Sequence, residues 1–248
     1  MQPSRSEGGV RVPALRRPGM GPAMWIVEFY RSNVGKKAVM AITGIVLLAY
    51  VLLHMVGNLK LYEGASGMNA YAEWLRTLGY PALPEYGALW ILRVLLAVSF
   101  VLHIHAAVSL TLTNRKARSV GYQSQRDYAA ATYAARTMRY TGVIVLLFVI
   151  YHVLHFTTGH THHDFVENDV YRNVVEGFSR WEVSGFYILA NLALGLHIYH
   201  GAWSLFQSLG WNNRRFNPWR RSFAAIFTAV VVIGNISFPI AVLAGIVD

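Results

Sequence analysis

Five long apolar runs alternate with short polar stretches along the chain, over roughly residues 34–57, 86–113, 138–158, 181–209 and 222–247. Each reaches the ~20 residues that an α-helix needs to cross a bilayer. The pattern therefore predicts an all-α integral membrane protein with five transmembrane helices. Other stretches are amphipathic. Met68–Leu78 carries Tyr71, Trp74, Leu75 and Leu78 on one side and ends before Pro81 and Pro84, and Phe165–Phe178 has a similar character. Both predict helices lying on the membrane surface. Trp25–Tyr30 predicts a short interfacial helix, because aromatic rings favour the headgroup level. Residues 1–30 then form a flexible basic arm with an interfacial segment, and residues 31–248 form one membrane domain. Residues 1–23 hold Arg5, Arg11, Arg16 and Arg17 among Pro and Gly, without the apolar core of a signal peptide.

Composition sharpens this picture. The 248 residues are 54% hydrophobic and only 14% charged, with no cysteine. Thioether-linked haem and iron–sulfur clusters on this chain's own thiolates are excluded, which leaves histidine as the strong metal ligand. A formal charge of +10 would suggest nucleic acid in a soluble protein, but here the charge lies between the apolar runs. All but five of the 22 Lys and Arg (Lys60, Arg76, Arg93, Arg172 and Arg180) fall on one side of the predicted topology. All but three of the 12 acids (Glu7, Glu28 and Asp127) fall on the other. The positive-inside rule then puts the N-terminus in the cytoplasm and the C-terminus outside.

Four of the runs contain histidine: His54; His103 and His105; His152 and His155; His197 and His200. An imidazole at bilayer depth is costly and marks a functional site by default. One alone is more simply a helix-to-helix hydrogen bond. Four are harder to dismiss, because their depths match. At ~1.5 Å per residue, His54 and His152 lie roughly 9 Å below the outer ends of their helices. Entering from outside, His103 lies roughly 15 Å deep and His197 roughly 24 Å deep. The spacing pairs His54 with His152 and, deeper, His103 with His197. Two flat iron-centred rings fit between such pairs: a di-haem cytochrome b. A repeat accompanies the pairing, since Thr43-Gly44 precedes His54 and Thr141-Gly142 precedes His152 by the same offset. Eleven residues is close to three turns, which puts each Thr on the stripe of its own His. Each Gly lets a ring or helix approach.

Two imidazoles saturate an iron, which suits electron transfer rather than oxygen chemistry. Lys37, Arg139 and His200 are candidate partners for the propionates of the deep haem, with Trp90 and Arg93 weaker candidates for the outer one. His103 and His105 face opposite ways on a helix, so only one serves a given ring. His155 and His200 share a face with their upstream neighbours. His160, His162 and His163 read as a solvated turn. The fifth run has no His; Asn235 is its intramembrane polar residue, and Pro239 predicts a kink in a scaffold helix.

These residues carry a resemblance. Ser32-Asn-Val-Gly-Lys-Lys with Met40-Ala-Ile-Thr-Gly44, His54-Met-Val-Gly-Asn58, Leu110-Thr-Leu-Thr-Asn-Arg-Lys-Ala-Arg118, Arg139-Tyr-Thr-Gly142, His152-Val-Leu-His-Phe156 and His197-Ile-Tyr-His-Gly201 with Trp203–Asn213 together resemble one family. It is the single-chain, five-helix, di-haem membrane anchor of succinate dehydrogenase and fumarate reductase. The resemblance covers about residues 30–245 and implies several things. The first four helices each give one axial ligand, which favours His103 over His105 and His197 over His200. His54 and His152 hold the distal haem b, and His103 and His197 the proximal one. Flavoprotein and iron–sulfur subunits dock on the cytoplasmic face of a bacterial plasma membrane, with room for a further small membrane subunit or a second copy. The substrate of this chain is a membrane quinone, menaquinone in most di-haem forms, and it has no dicarboxylate site. Candidate quinone contacts are Asn58, Lys60 and Glu63 at the distal end, and Ser32 and Lys36 at the cytoplasmic mouth. Competing readings are a hydrogenase or formate dehydrogenase cytochrome b, a transporter with a histidine proton relay, and an anchor without cofactor.

Overall fold

The computed structural model describes residues 22–117, 131–211, 213–214 and 217–248. The predicted arm before residue 22 and most of the connector at 118–130 lie outside the described residues. Every regular element among the described residues is a helix. They are α1 (Pro22–Arg31), α2 (Asn33–Asn58), α3 (Gly64–Thr77), α4 (Gly87–Lys116), α5 (Ala131–His152), α6 (Val170–Ser179), α7 (Trp181–Ser208) and α8 (Asn217–Leu243). A 3₁₀ turn, Leu59–Glu63, joins α2 to α3, and a π-helical turn, Val153–Thr157, extends α5.

The expected elements are present, with shifted ends. Helix α5 starts seven residues before the apolar run, because a helix needs helix formers rather than apolar residues and the alanines and arginine of Ala131–Thr137 supply them. Helix α8 likewise starts early, with Pro218 in its first turn, where a missing N–H breaks no helix bond. It ends at Leu243 rather than Val247. Gly245 takes φ 67° and the Ile246 N–H donates back to the Ala241 carbonyl at 2.9 Å, a left-handed stop that glycine tolerates. The helix predicted over Phe165–Phe178 is the shorter α6, because the Asp169 side chain caps it by accepting from the Arg172 N–H at 3.1 Å. Pro239 lies within α8 and is buried.

Contacts give the directions. Thr43 of α2 meets His103 of α4 while Tyr50, further along α2, faces Arg93 nearer the start of α4; Thr141 of α5 meets His197 of α7 while His152, at the end of α5, meets Tyr187 near the start of α7. Hence α2 and α5 run one way and α4 and α7 the other. Phe206 packs on Trp219 and Phe223, so α8 returns alongside α2 and α5. We call the end near the starts of α2, α5 and α8 the lower end. At the upper end α3 and α6 fold over the bundle, joined where Asn69 donates to Asp169 at 2.9 Å and accepts from the Tyr171 N–H at 3.0 Å. Under them sits an apolar core of Met55, Leu61, Phe178, Tyr187, Phe238 and neighbours.

Four helical segments are long and apolar enough to cross a membrane: Asn33–Thr77, Gly87–Lys116, Thr137–Thr157 and Asn217–Leu243. Five were expected. The fifth, α7, is about 42 Å long but carries Ser184, Asn191, His197 and His200 in its interior. The reason is its position: α7 packs on α2, α5, α6 and α8, and Ser184, Asn191 and His200 are buried there. These buried polar residues face the neighbouring helices, while Leu189, Leu192 and Leu196 of the same helix face outward. Outward-facing Leu53, Val101, Leu147, Leu189 and Ile233 are all more than 60% exposed, an apolar girdle that suits acyl chains and not water.

Candidate functional site

A cavity of about 1560 Å³ runs through the bundle between α2, α4, α5 and α7, with Asn235 and Phe238 of α8 on one side. Its walls are largely apolar, and His54, His103, His152 and His197 all line it. His105, His155 and His200 do not. Four helices thus each turn one imidazole into one space, at two levels.

At the lower level the geometry is repeated. The Thr43 hydroxyl donates back to the Val39 carbonyl at 2.7 Å and lies 3.3 Å from His103 Nδ1. The Thr141 hydroxyl donates to the Thr137 and Met138 carbonyls at 3.1 Å and lies 3.5 Å from His197 Nδ1. Each hydroxyl has spent its proton on its own helix, so it meets the imidazole as an acceptor. Both histidines are thereby held with Nδ1 as donor and Nε2 free, the tautomer a metal ligand requires. Beside each Thr, a β-carbon on Gly44 would stand 3.6 Å from His103 Cε1, and one on Gly142 would stand 3.4 Å from His197 Cε1. The repeat is therefore Met-x-x-Thr-Gly, at Met40–Gly44 and Met138–Gly142. It serves the histidine of the next long helix. Thr43 shares a stripe with His54, and Thr141 with His152, by count; these contacts add that each Thr and Gly reaches the antiparallel neighbour, while the His three turns on occupies the other level.

At the upper level the ring centroids of His54 and His152 are 5.8 Å apart, with planes at 86°. Here the surroundings differ on the two sides. Tyr50 stacks on His54 at 5.4 Å, and Asn58 Nδ2 lies 3.3 Å from His54 Nε2. His152 Nδ1 lies 3.5 Å from the Tyr187 hydroxyl, which also lies 3.1 Å from His155 Nδ1. The π-helical turn begins directly after His152 and turns His155 out of the cavity. There His155 is 2% exposed and stacks on His162 at 4.8 Å. His162 was expected in a solvated turn. It is buried instead, with Nε2 donating to the Asn173 carbonyl at 2.8 Å, whereas His160 and His163 are exposed.

The cavity's charge is one-sided. Lys37, Arg115 and Arg139 line its lower end and Arg93 its upper part, and among the described residues no Asp or Glu lines it. Such a space suits a large apolar group bearing carboxylates. Its volume exceeds the ~300–1,000 Å³ of an ordinary ligand pocket. A metal between two imidazoles binds each nitrogen at about 2.0 Å, which puts the ring centroids about 6 Å apart; the upper pair already stands near that separation. Among the described residues no three His, Cys, Asp or Glu converge on one point. The residues present fit haem on all these grounds.

The remaining candidates are dispersed. His200 is buried beside Trp203, with Nδ1 unpaired, and is not among the residues that line the cavity. Ser32 is taken up as the cap of α2, where its hydroxyl accepts from the Gly35 N–H at 2.9 Å and donates to the Phe29 carbonyl at 2.6 Å. Lys60 and Glu63 pair with each other on the surface at 2.7 Å and do not line the main cavity, whereas Asn58 does. Trp90 is exposed and lies under Arg93, 5.2 Å from ring centroid to guanidinium carbon. Sequence reasoning overlooked Arg115, read as a topology charge, and Tyr187, which carried no signal. It set Asn235 aside on a scaffold helix.

Fold and cavity define a polytopic all-helical membrane protein with a large internal cofactor-sized space. Residues 113–236, half of the chain, match the family described as succinate dehydrogenase/fumarate reductase transmembrane subunit, and the chain belongs to that family. It is thus a membrane subunit of an oxidoreductase complex and associates with the other subunits of that complex. No curated protein and no solved structure matches the chain. The matched residues include Thr141, His152 and His197, and the Met-x-x-Thr-Gly repeat extends the same construction to α2 and α4.

Proposed function

We propose that this chain is the cytochrome b anchor of its complex, with five membrane spans, a cytoplasmic N-terminus and two b haems. His54 and His152 would hold one haem and His103 and His197 the other, on the upper and lower levels of the cavity. Bound there, haem supplies reversible one-electron exchange between the iron–sulfur subunit and a membrane quinone, which the resemblance makes a menaquinone. The chain's own contribution is orientation and exclusion. Thr43 and Thr141 fix the ring nitrogens of the lower pair, and the apolar walls keep water out. Lys37, Arg115 and Arg139 place positive charge for carboxylates at the lower end, and Arg93 does so above. With two imidazoles per iron no position is left for oxygen, as electron transfer demands. Of the candidate quinone contacts, Asn58 is favoured, because it lines the cavity beside His54.

One observation carries this reading: each of the four matched histidines lines one cavity, and none of their three near neighbours does. Purification of the assembled complex followed by pyridine haemochrome quantitation tests it. Two b haems per copy of this chain are expected, and a complex without haem refutes the proposal.

A further inference from the structure

His105 and Lys36 take no part in the main cavity. They meet in a second hollow of about 470 Å³, in the elbow between α1 and α2 and against α4. The elbow has a local cause. Ser32 caps α2, and Gly35 is buried where a β-carbon would overlap the Phe29 carbonyl, so α1 folds closely onto the first turn of α2. The floor of the hollow is polar. The Tyr30 hydroxyl hydrogen-bonds His105 Nδ1, their rings stack at 5.7 Å, and Ser109 lies one turn further along α4. Two cations, Arg31 and Lys36, form the rim, while Ile26 and Val27 of α1 form an apolar wall. Among the described residues no carboxylate lines the space.

Depth adds a constraint. Ser109 and His105 precede the last residue of α4 by about 10 and 16 Å of helix, within an apolar segment. His105 is nonetheless exposed. An imidazole open to hydrocarbon at this depth is unfavourable, so a polar occupant is called for. Paired cations without a counter-charge at the interface, a hydrogen-bonding floor and an apolar wall fit one kind of molecule, an amphiphile with an anionic head. Basic pockets beside membrane helices recognise lipid headgroups in this way. We propose that the hollow binds an anionic phospholipid. Its phosphate sits between Arg31 and Lys36, its ester oxygens face the Tyr30–His105 pair and Ser109, and its chains follow Ile26 and Val27. A quinone head is neutral and leaves both cations unmatched.

The test uses the whole complex, delipidated by washing in mild detergent, with retained phospholipid measured by mass spectrometry. Wild type is expected to keep one phosphatidylglycerol or cardiolipin per chain through washes that strip phosphatidylcholine. The Arg31→Gln/Lys36→Gln variant is expected to lose it, and equal retention by the variant overturns the proposal. Should that variant not assemble, wild-type complex in vesicles carrying a photoactivatable lipid decides the matter. Labelling of residues 22–36 and 105–109 by phosphatidylglycerol but not by phosphatidylcholine supports the assignment. Equal labelling by both lipids overturns it, as does loss of the label to a short-chain quinone. Lipid retention and haem content are separate readouts, so this inference and the proposed function can fail independently.

Discussion

The two levels of the cavity are built on different plans. The lower level is nearly symmetric: Met40–Gly44 presents a hydroxyl and a bare backbone to His103, and Met138–Gly142 presents the same to His197. The upper level is not. His54 has an aromatic neighbour and an amide, whereas His152 has a phenol backed by two further histidines and a π-helical turn. A symmetric pair of supports makes the two lower imidazoles alike. The asymmetric supports above make His54 and His152 unlike each other, and tie only His152 to the loop that carries His162. The lower level is thus set by the helices themselves, while the upper level also depends on α6, whose Asn173 carbonyl accepts from His162.

This contrast can be broken from either side. The larger effect is expected below. Replacing Thr43 or Thr141 by Val keeps the shape but removes the acceptor for an imidazole N–H. Loss of such a supporting partner costs about 10–100-fold in affinity for the bound metal group. Each variant should lose the lower haem first on extended washing, read as the haem-to-protein ratio, with the upper haem's spectrum unchanged. An equal effect on both haems would contradict the division into levels. A smaller effect is expected above. Tyr187→Phe removes the hydroxyl between His152 and His155 but leaves the tilted and edge-on contacts of Phe148 and Phe156 with the His152 ring. The complex should keep both haems and show a shifted midpoint for one of them only, measured by optical redox titration. A shift of both, or of neither, would remove Tyr187 from the account.

Much of this was legible in the sequence, and the limits have physical causes. The long helices follow from apolar runs, and the depth argument brings His54 to His152, because rise per residue is nearly invariant in a helix. The rotation of side chains about the helix is less readable. Thr43 lies on the same stripe as His54 by count, yet its useful contact is across the groove to α4, which depends on how two helices pack. The π-helical turn after His152 shifts the register by part of a turn, so counting places His155 on the cavity side and the fold places it behind Tyr187. His200 is displaced for another reason: α7 is central and has two faces to serve, and His200 lies on the face turned from the cavity. The surface pair Lys60–Glu63 looked like a polar site in sequence because charge marks both function and solvation.

The central claim is that the four cavity histidines act as two pairs, each holding one haem. The most direct measurement is haem per chain in two double variants of the complex, one within a level and one across levels. His103→Ala/His197→Ala should retain one haem, no fewer than either single variant, and His54→Ala/His103→Ala should retain none. Equal haem content in the two double variants would contradict the pairing.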